Sequence, residues 1–313
     1  MIFYYALGGG LGHITRAQAL IHTLGLEAPV TLAMTSTWPR GLLPIPDQFR
    51  QVRAPRALSR DARGVREWIN EILSSEHYQL IIIDAFPAGL LGELCDFPFP
   101  ATAKLLHCAR RLRWPVYAQY LTGQIPQYHR CYQLEQLSAP HLDALSSSCQ
   151  VLETLKLEDR TLSDGPVKRS GDSASRAPLW LIIHAGSDDE TMELVEFATE
   201  SAAFEGVTPR FLLISPQRPE ALSGTFEHRC EYPAHHWFSH ADRIFSACGF
   251  NTARQLSAHR AKHRFIPFSR RFDDQFARAA ALRSGEWDQF ASMSGPLNNA
   301  MKVRNTHSLR NMN

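Results

Sequence analysis

The sequence has no CxxC pair. Its six cysteines (Cys95, Cys108, Cys131, Cys149, Cys230 and Cys248) are scattered along the chain. This argues against a zinc site or a disulfide framework and predicts a reducing, cytoplasmic setting. Neither charge sign dominates: 33 basic and 31 acidic side chains leave a formal charge of +2. A nucleic-acid-binding protein is therefore not indicated. No apolar run approaches the roughly 18 residues needed to span a bilayer, so membrane contact is expected to be peripheral at most. Residues 2–7 are too short for a signal h-region and lack a basic n-region, so no secretory signal is expected. The chain also lacks a complete dinucleotide fingerprint, because residues 8–13 (GGGLGH) have no glycine at the last position of GxGxxG.

What is present is a length of 313 residues, enough for two domains that each bury a core. A hydrophobic share of 44% and a charged share of 20% are those of a globular protein. Strand-like apolar runs at 2–7, 29–34 and 80–83 alternate with helix-like stretches at 14–24 and 63–73, and 115–120 reads as a further strand. The polar, Ser/Gly/Pro-rich stretch around 159–177 reads as a linker. A second alternation follows: strands at 179–184, 210–215, 243–247 and 264–268, with helices at 188–204, at 252–259 and from 273. Residues 295–313 lack apolar periodicity and read as a loose tail. The expected fold is α/β, with two doubly wound, Rossmann-like domains (1–158 and 178–294) facing a cleft. Ligands in such folds lie at the carboxyl ends of the strands, here in the cleft.

Two stretches carry chemistry. After the first strand, glycines lead into a helix through Leu11, Gly12, His13, Ile14, Thr15 and Arg16. Bare backbone amides there allow close approach of a ligand. His13 is either a proton-transfer group at the lip of the cleft or a surface or capping histidine. Arg16, one turn further, either reaches an anionic group or is solvated. Asp84 closes the buried run 80–83 and is either a second candidate base or a cap of the turn at Phe86-Pro87. Glu93, on an expected following helix, reads as structural. Arg110, Arg111, Arg113 and Trp114 form a basic-aromatic cluster, read either as a solvated loop or as a contact for a phosphorylated or lipid-linked acceptor.

In the second half, His184-Ala185-Gly186-Ser187 repeats the strand-then-small-residue loop, and Asp188, Asp189 and Glu190 complement a positive helix N-terminus. Further on, Cys248-Gly249-Phe250-Asn251-Thr252 forms a loop at another helix start, suited to a diphosphate. A strand ending at Pro267-Phe268 then leads into Ser269-Arg270-Arg271-Phe272-Asp273-Asp274-Gln275, whose carboxylates and amide suit sugar hydroxyls.

With Gly249, Thr252, Pro267, Phe268, Asp274 and Gln275 in this order, the second half resembles the donor-binding domain of GT-B glycosyltransferases. It is closest to the bacterial peptidoglycan N-acetylglucosaminyltransferase group, glycosyltransferase family 28-like. Residues 8–13 look like that family's N-terminal glycine loop. The Gly-Leu-Gly-His-x-x-Arg form at 10–16 is similar to a less characterised branch. The chain departs from these enzymes at Gln255, where they place a ribose-binding glutamate.

The resemblance implies sugar transfer from a nucleoside-diphosphate sugar, a UDP-sugar first, to a glycan, lipid-linked or small-molecule acceptor, without metal or cofactor. It assigns the diphosphate to Gly10, Gly12, Gly186, Ser187, Gly249, Asn251 and Thr252. Ribose and sugar fall to Gln255, Asp273, Asp274 and Gln275. Arg16 and Arg270 offset charge, and His13, with Asp84 as rival, is the base. The same residues fit a nucleotide-sugar hydrolase or epimerase on this fold, and Gln255 favours a non-catalytic nucleotide-sugar-binding protein.

Overall fold

The computed structural model describes residues 1–8, 11–35, 45–160 and 177–293. Gly10, most of the expected linker and the C-terminal tail lie outside the described residues.

The first half contains β1 (Ile2–Ala6), α1 (Gly12–Thr23), β2 (Val30–Met34), β3 (Phe49–Arg53), α2 (Ala62–Ser75), β4 (Leu80–Ala85), β5 (Lys104–Ala109), α3 (Trp114–Tyr117), β6 (Arg130–Gln133), α4 (Ala139–Ser146) and β7 (Leu152–Thr154). Its strands form one sheet in the order β3-β2-β1-β4-β5-β6-β7, with every pair parallel. The second half contains β8 (Leu179–Ile183), α5 (Asp188–Glu205), β9 (Arg210–Ile214), β10 (Glu227–Arg229), β11 (Arg243–Ala247), α6 (Phe250–Gln255), β12 (His263–Ile266), α7 (Gln275–Ser284) and α8 (Glu286–Met293). These strands pair in parallel in the order β10-β9-β8-β11-β12.

The apolar runs explain the central strands. Residues Leu80 to Ile83 of β4 are covered on both faces, as parallel strands require. Helix ends carry sequence-coded stops. Asp61 caps α2 by accepting from Gly64 N, Ser187 caps α5 from Glu190 N, and Asp274 caps α7 from Ala277 N. α1 lays Ile14, Ala17, Leu20 and Ile21 on the first sheet, and the same apolar cluster continues into Phe250, Ala253, Leu282 and Trp287 of the second half. The two halves therefore meet through buried apolar surface as well as polar contacts.

Two expectations are corrected, and β5 was not expected. The stretch 115–120 is helical, with Pro115 in the first turn of α3 followed by a 3-10 turn at Ala118–Tyr120. The strand of that region is β5, whose Lys104, His107 and Cys108 hid its apolar character. Glu93 sits among consecutive turns, not on a helix.

Candidate functional site

Each sheet has one place where the chain reverses its direction of winding. The first sheet grows outward from β1 through β2 to β3, then returns to β4 on the other side of β1. The second grows from β8 to β10 and returns to β11. The crevice between such strands, at their carboxyl ends, is where doubly wound sheets take ligands. In the first sheet it receives the residues after β1 and the end of β4, which hold His13 and Asp84. In the second it receives residues 184–187 and 248–252.

His13 and Asp84, 71 positions apart, are brought together there: His13 Nδ1 lies 2.6 Å from Asp84 Oδ2. Both are buried, at 6% and 1% exposure. Arg16 approaches the same carboxylate with Nε 2.5 Å from Oδ1 and Nη2 2.6 Å from Oδ2, and the Tyr4 hydroxyl donates to Oδ1 at 3.3 Å. Despite its burial, Asp84 is held far below the usual carboxylate range by the Arg16 charge and by the His13 and Arg16 hydrogen bonds. An ionised carboxylate only accepts, so His13 donates from Nδ1 and carries its lone pair on Nε2. Burial lowers the His13 pKa, opposed by the bond to Asp84. The residue after Asp84 is Ala85, with φ of +63°, an uncommon conformation for a side-chain-bearing residue. Phe86 N donates to Asp84 O at 2.7 Å in the resulting tight turn. Asp84 is thus the ion-pair partner of α1, and Arg16 is neither solvated nor part of the cavity described next.

A cavity of about 620 Å³ opens between the halves. From the first half it is lined by Leu11, Gly12 and Thr15, which flank His13 in sequence; His13 and Asp84 themselves lie beside the cavity, not in its lining. From the second it is lined by Gly186, Ser187, Asn251, Thr252, Gln255, Arg270 and Gln275. Most of the predicted donor-binding residues therefore meet in one place, although Gly249, Asp273 and Asp274 do not line it. Gly249 is the N-cap of α6, with open space where a Cβ would stand. Asn251 ties the halves together, its Nδ2 donating to Gly12 O at 2.7 Å. Gln255 Nε2 donates to Asp159 Oδ2 at 3.2 Å, and Arg254 holds the same carboxylate. Arg270 pairs with Glu190, which also bonds His184 Nε2 at 2.9 Å.

The loop after β12 is committed elsewhere. Asp273 accepts from Arg278 at 2.8 Å and from Arg110, so its carboxylate is not directed at a sugar. Its pKa is held well below the usual range by Arg278 and Arg110 against the effect of burial. Arg278 also grips Glu135 at 2.7 and 2.8 Å. Arg113 N donates to Phe272 O at 2.7 Å. The basic-aromatic cluster is divided: Arg110 is buried against Asp273 and Trp114 is buried, stacked on His141 at 4.3 Å, whereas Arg113 is exposed and donates to Arg270 O at 3.1 Å. Asp274 is spent on capping α7, and Gln275 Oε1 accepts from Phe268 N at 3.0 Å.

Sequence reasoning placed His184 and Thr15 in the two chemistry-bearing stretches without giving them a role, and missed Tyr232. Thr15 Oγ1 and the Tyr232 hydroxyl are 2.5 Å apart at the cavity wall, one from each half. His184 was visible as the last residue of a buried run, the same signal that marked Asp84. Tyr232 had no local signal. Among the described residues no group of three His, Cys, Asp or Glu is placed to hold a metal ion, and no helix is long and apolar enough to cross a membrane.

No family model matches the chain, and no curated protein matches it in sequence. Solved structures do. The glycosyltransferase SsfS6 of Streptomyces sp. SF2575, complexed with thymidine diphosphate, is 10% identical with a TM-score of 0.55, over 99% of this chain and 94% of that one. The glycosyltransferase SnogD of Streptomyces nogalater is 13% identical with a TM-score of 0.54, over 100% and 95%. The UDP-GlcNAc 2-epimerase of Methanocaldococcus jannaschii, in complex with UDP-GlcNAc and UDP, is 11% identical with a TM-score of 0.53, over 91% and 99%. At these identities the likeness establishes the architecture, two Rossmann-like domains arranged as in GT-B enzymes.

Proposed function

We propose that this chain is a glycosyltransferase that moves a sugar from a nucleoside-diphosphate sugar, a UDP-sugar first, to an acceptor hydroxyl, with His13 as the base. The observation that carries this reading is the buried His13–Asp84 pair beside a cavity lined by the loops after β1, β8 and β11. In the step, His13 Nε2 takes the acceptor O–H proton while the acceptor oxygen bonds to the anomeric carbon. The bond from that carbon to the diphosphate oxygen breaks, and the diphosphate leaves with the electron pair. The α5 N-terminus at Gly186 and Ser187, with Asn251, Thr252 and Arg270, stabilises that charge, and no metal takes part. Gln255 addresses the ribose through hydrogen bonds without charge. Asp84 is the group that orients His13, which supports His13 over Asp84 as the base.

Neighbours of the same architecture hold thymidine diphosphate or UDP, which supports a nucleoside-diphosphate donor. The order of residues 249–275 supports a family 28-like branch, and the cysteine pattern supports a cytoplasmic setting. A second reading, epimerisation or hydrolysis of the nucleotide sugar, is favoured by the epimerase among the neighbours. The test is a thermal-shift screen with UDP-, dTDP-, GDP- and CDP-sugars. A ligand at 100 times its Kd should stabilise the fold by about 2.7 kcal/mol. A flat response to all four refutes the reading. Product analysis of the binder, with and without acceptor extract and with EDTA present, separates transfer from hydrolysis or epimerisation.

A further inference from the structure

His13 and Arg16 stand one turn apart on α1, so both side chains leave the same face of the helix. Both turn inward onto Asp84, and the Arg16 side chain is only 3% exposed. Its guanidinium lies 5.8 Å from the Phe250 ring centre and is committed to both oxygens of Asp84, so it is not turned toward a donor phosphate. A guanidinium buried this deeply needs a reason, and Asp84 alone does not supply one. Two buried groups, His13 and Asp84, could share a proton and remain neutral overall without it.

We propose that Arg16 is a positioning residue which, by holding both oxygens of Asp84, keeps that carboxylate ionised and the His13 ring neutral, with its proton on Nδ1 and its lone pair on Nε2. The inference rests on the reading of His13 as the base.

The geometry distinguishes this arrangement from its alternatives. A fully buried carboxyl with no cation would favour its protonated form. Protonated Asp84 could donate to Nδ1 and force the ring proton onto Nε2, the wrong atom for a base. A buried ionised Asp84 with no cation would instead draw a proton onto His13, giving an imidazolium that cannot accept another. Arg16 removes both outcomes: its charge holds Asp84 ionised and cancels the pull of that carboxylate on the ring. Arg16 Nη2 also lies 3.2 Å from His13 Nδ1. That contact could serve the opposite tautomer, with Nδ1 accepting, but the 2.6 Å contact to the carboxylate is shorter and charge-assisted. Asp84 therefore decides the tautomer, and Arg16 decides the charge state of Asp84.

The other titratable and charged groups facing this cluster act in the same direction or stand one step removed. Arg110, after β5, disfavours imidazolium at His13. Tyr4 of β1 and Cys108 of β5 face Asp84, and burial keeps both in their neutral forms. His107 of β5 donates from Nδ1 to Ile83 O and is kept neutral by burial. Phe86 covers the ring of His13 at 6.0 Å.

The tautomer and titration of His13 can be read without any substrate, by side-chain nitrogen NMR of the full chain labelled at histidine. The His13 signals are assigned by their loss in His13→Asn. In the wild type the ring is expected to be neutral at pH 7 with its proton on Nδ1. Arg16→Gln is expected to raise the titration midpoint of His13 by about 1 to 3 pH units, the usual effect of one charge at this range. Arg16→Lys, which keeps the charge as a point, is expected to retain the neutral Nδ1–H ring. Asp84→Asn is expected to move the proton to Nε2, because Nδ1 then accepts from Arg16.

A wild-type ring protonated on Nε2 overturns the proposal. So does a folded Arg16→Gln protein, judged by far-UV circular dichroism, with a wild-type midpoint. Where Arg16→Gln does not fold, a charged or flipped ring at pH 7 in Arg16→Lys overturns it. If these shifts appear while His13→Asn retains full turnover, the base assignment fails and the Arg16 inference stands.

Discussion

Gly8→Ala tests the site without removing any of its functional groups. Gly8 has a φ of +154°, which side-chain-bearing residues rarely adopt. Its backbone is clamped by Thr35, whose Oγ1 accepts from Gly8 N at 3.2 Å and donates to Gly8 O at 2.9 Å. A Cβ added there would stand 2.7 Å from His13 Cε1 and 2.8 Å from Cδ2, and nearer still to Nε2. Real Cβ atoms essentially never come within 3.0 Å of another heavy atom, so the ring or the loop must shift. The ring cannot retreat freely, because Nδ1 is bonded to Asp84 and Phe86 covers one face. Displacement of the order of 1 Å at a reacting atom costs about 100-fold in rate. That is about 2.7 kcal/mol of barrier, beside roughly 1–3 kcal/mol of backbone strain in stability. The assay is release of nucleoside diphosphate from the donor found by the thermal-shift screen, beside calorimetric titration with the nucleoside diphosphate alone. Turnover should fall about 100-fold while nucleotide affinity stays within about twofold, since that ligand is held by the second half. A folded variant with turnover within about threefold of wild type refutes the placement of Nε2 against this glycine.

His13→Asn should lower turnover by about 10² to 10⁴ and abolish the acidic limb of the pH–rate profile. In the wild type that limb should lie below the ordinary histidine value of 6.5, because burial disfavours the charged ring; a limb above it, or one that survives in His13→Asn, contradicts the assignment. Glu135→Ala should destabilise by about 3–5 kcal/mol in urea unfolding, because it leaves Arg278 and Arg110 sharing one carboxylate in a buried network; a loss below about 1 kcal/mol would show that the network is dispensable. Acid should unfold the protein early. Burial lowers His107 to about 4 and His141 and His263 to about 3, so between the ordinary value of 6.5 and these values the unfolded chain binds protons that the folded one excludes. Stability should therefore fall with pH by up to about 1.4 kcal/mol per unit for each histidine, and a melting temperature unchanged between pH 7 and 5 would be inconsistent with their burial as neutral rings.

Much of the architecture was legible along the chain. Runs such as residues 80–83, covered on both faces, can only be central parallel strands, and the glycines after residue 7 mark where backbone must turn into a helix. Ser187, Asp274 and Asp61 cap helices through contacts between residues three apart, but in sequence Ser187 and Asp274 read as ligand contacts and Asp61 was not singled out. His13, Asp84, Gly186 and Thr252 were all legible as candidates for the same reason: each stands at the end of a strand or the start of a helix, and winding direction alone puts such positions at one edge of the sheet; Gln255, at the end of α6, was named only through the family resemblance. Strands with weak or mixed patterns were not legible. β3, with Arg50, Gln51 and Arg53 on an edge, and β5, with its lysine and histidine, take their conformation from their neighbours in the sheet.

Roles were decided only by the tertiary structure. Arg16 and Asp273 look alike in sequence, each a charge near a loop expected to bind anion or sugar. Arg16 is turned inward by α1 onto a carboxylate 68 positions away, and Asp273 meets Arg110 from 163 positions away. Whether a charge faces a ligand or a buried partner depends on what long-range packing brings within about 4 Å, because a buried charge offsets its lost hydration only with a close, hydrogen-bonded partner. Local patterns contain no information on that distance. Periodicity determined most of the strands and helices of this protein; the edge strand β3, the mixed strand β5 and the pairing of its charges, and with it the division between acting and supporting residues, were decided by the fold.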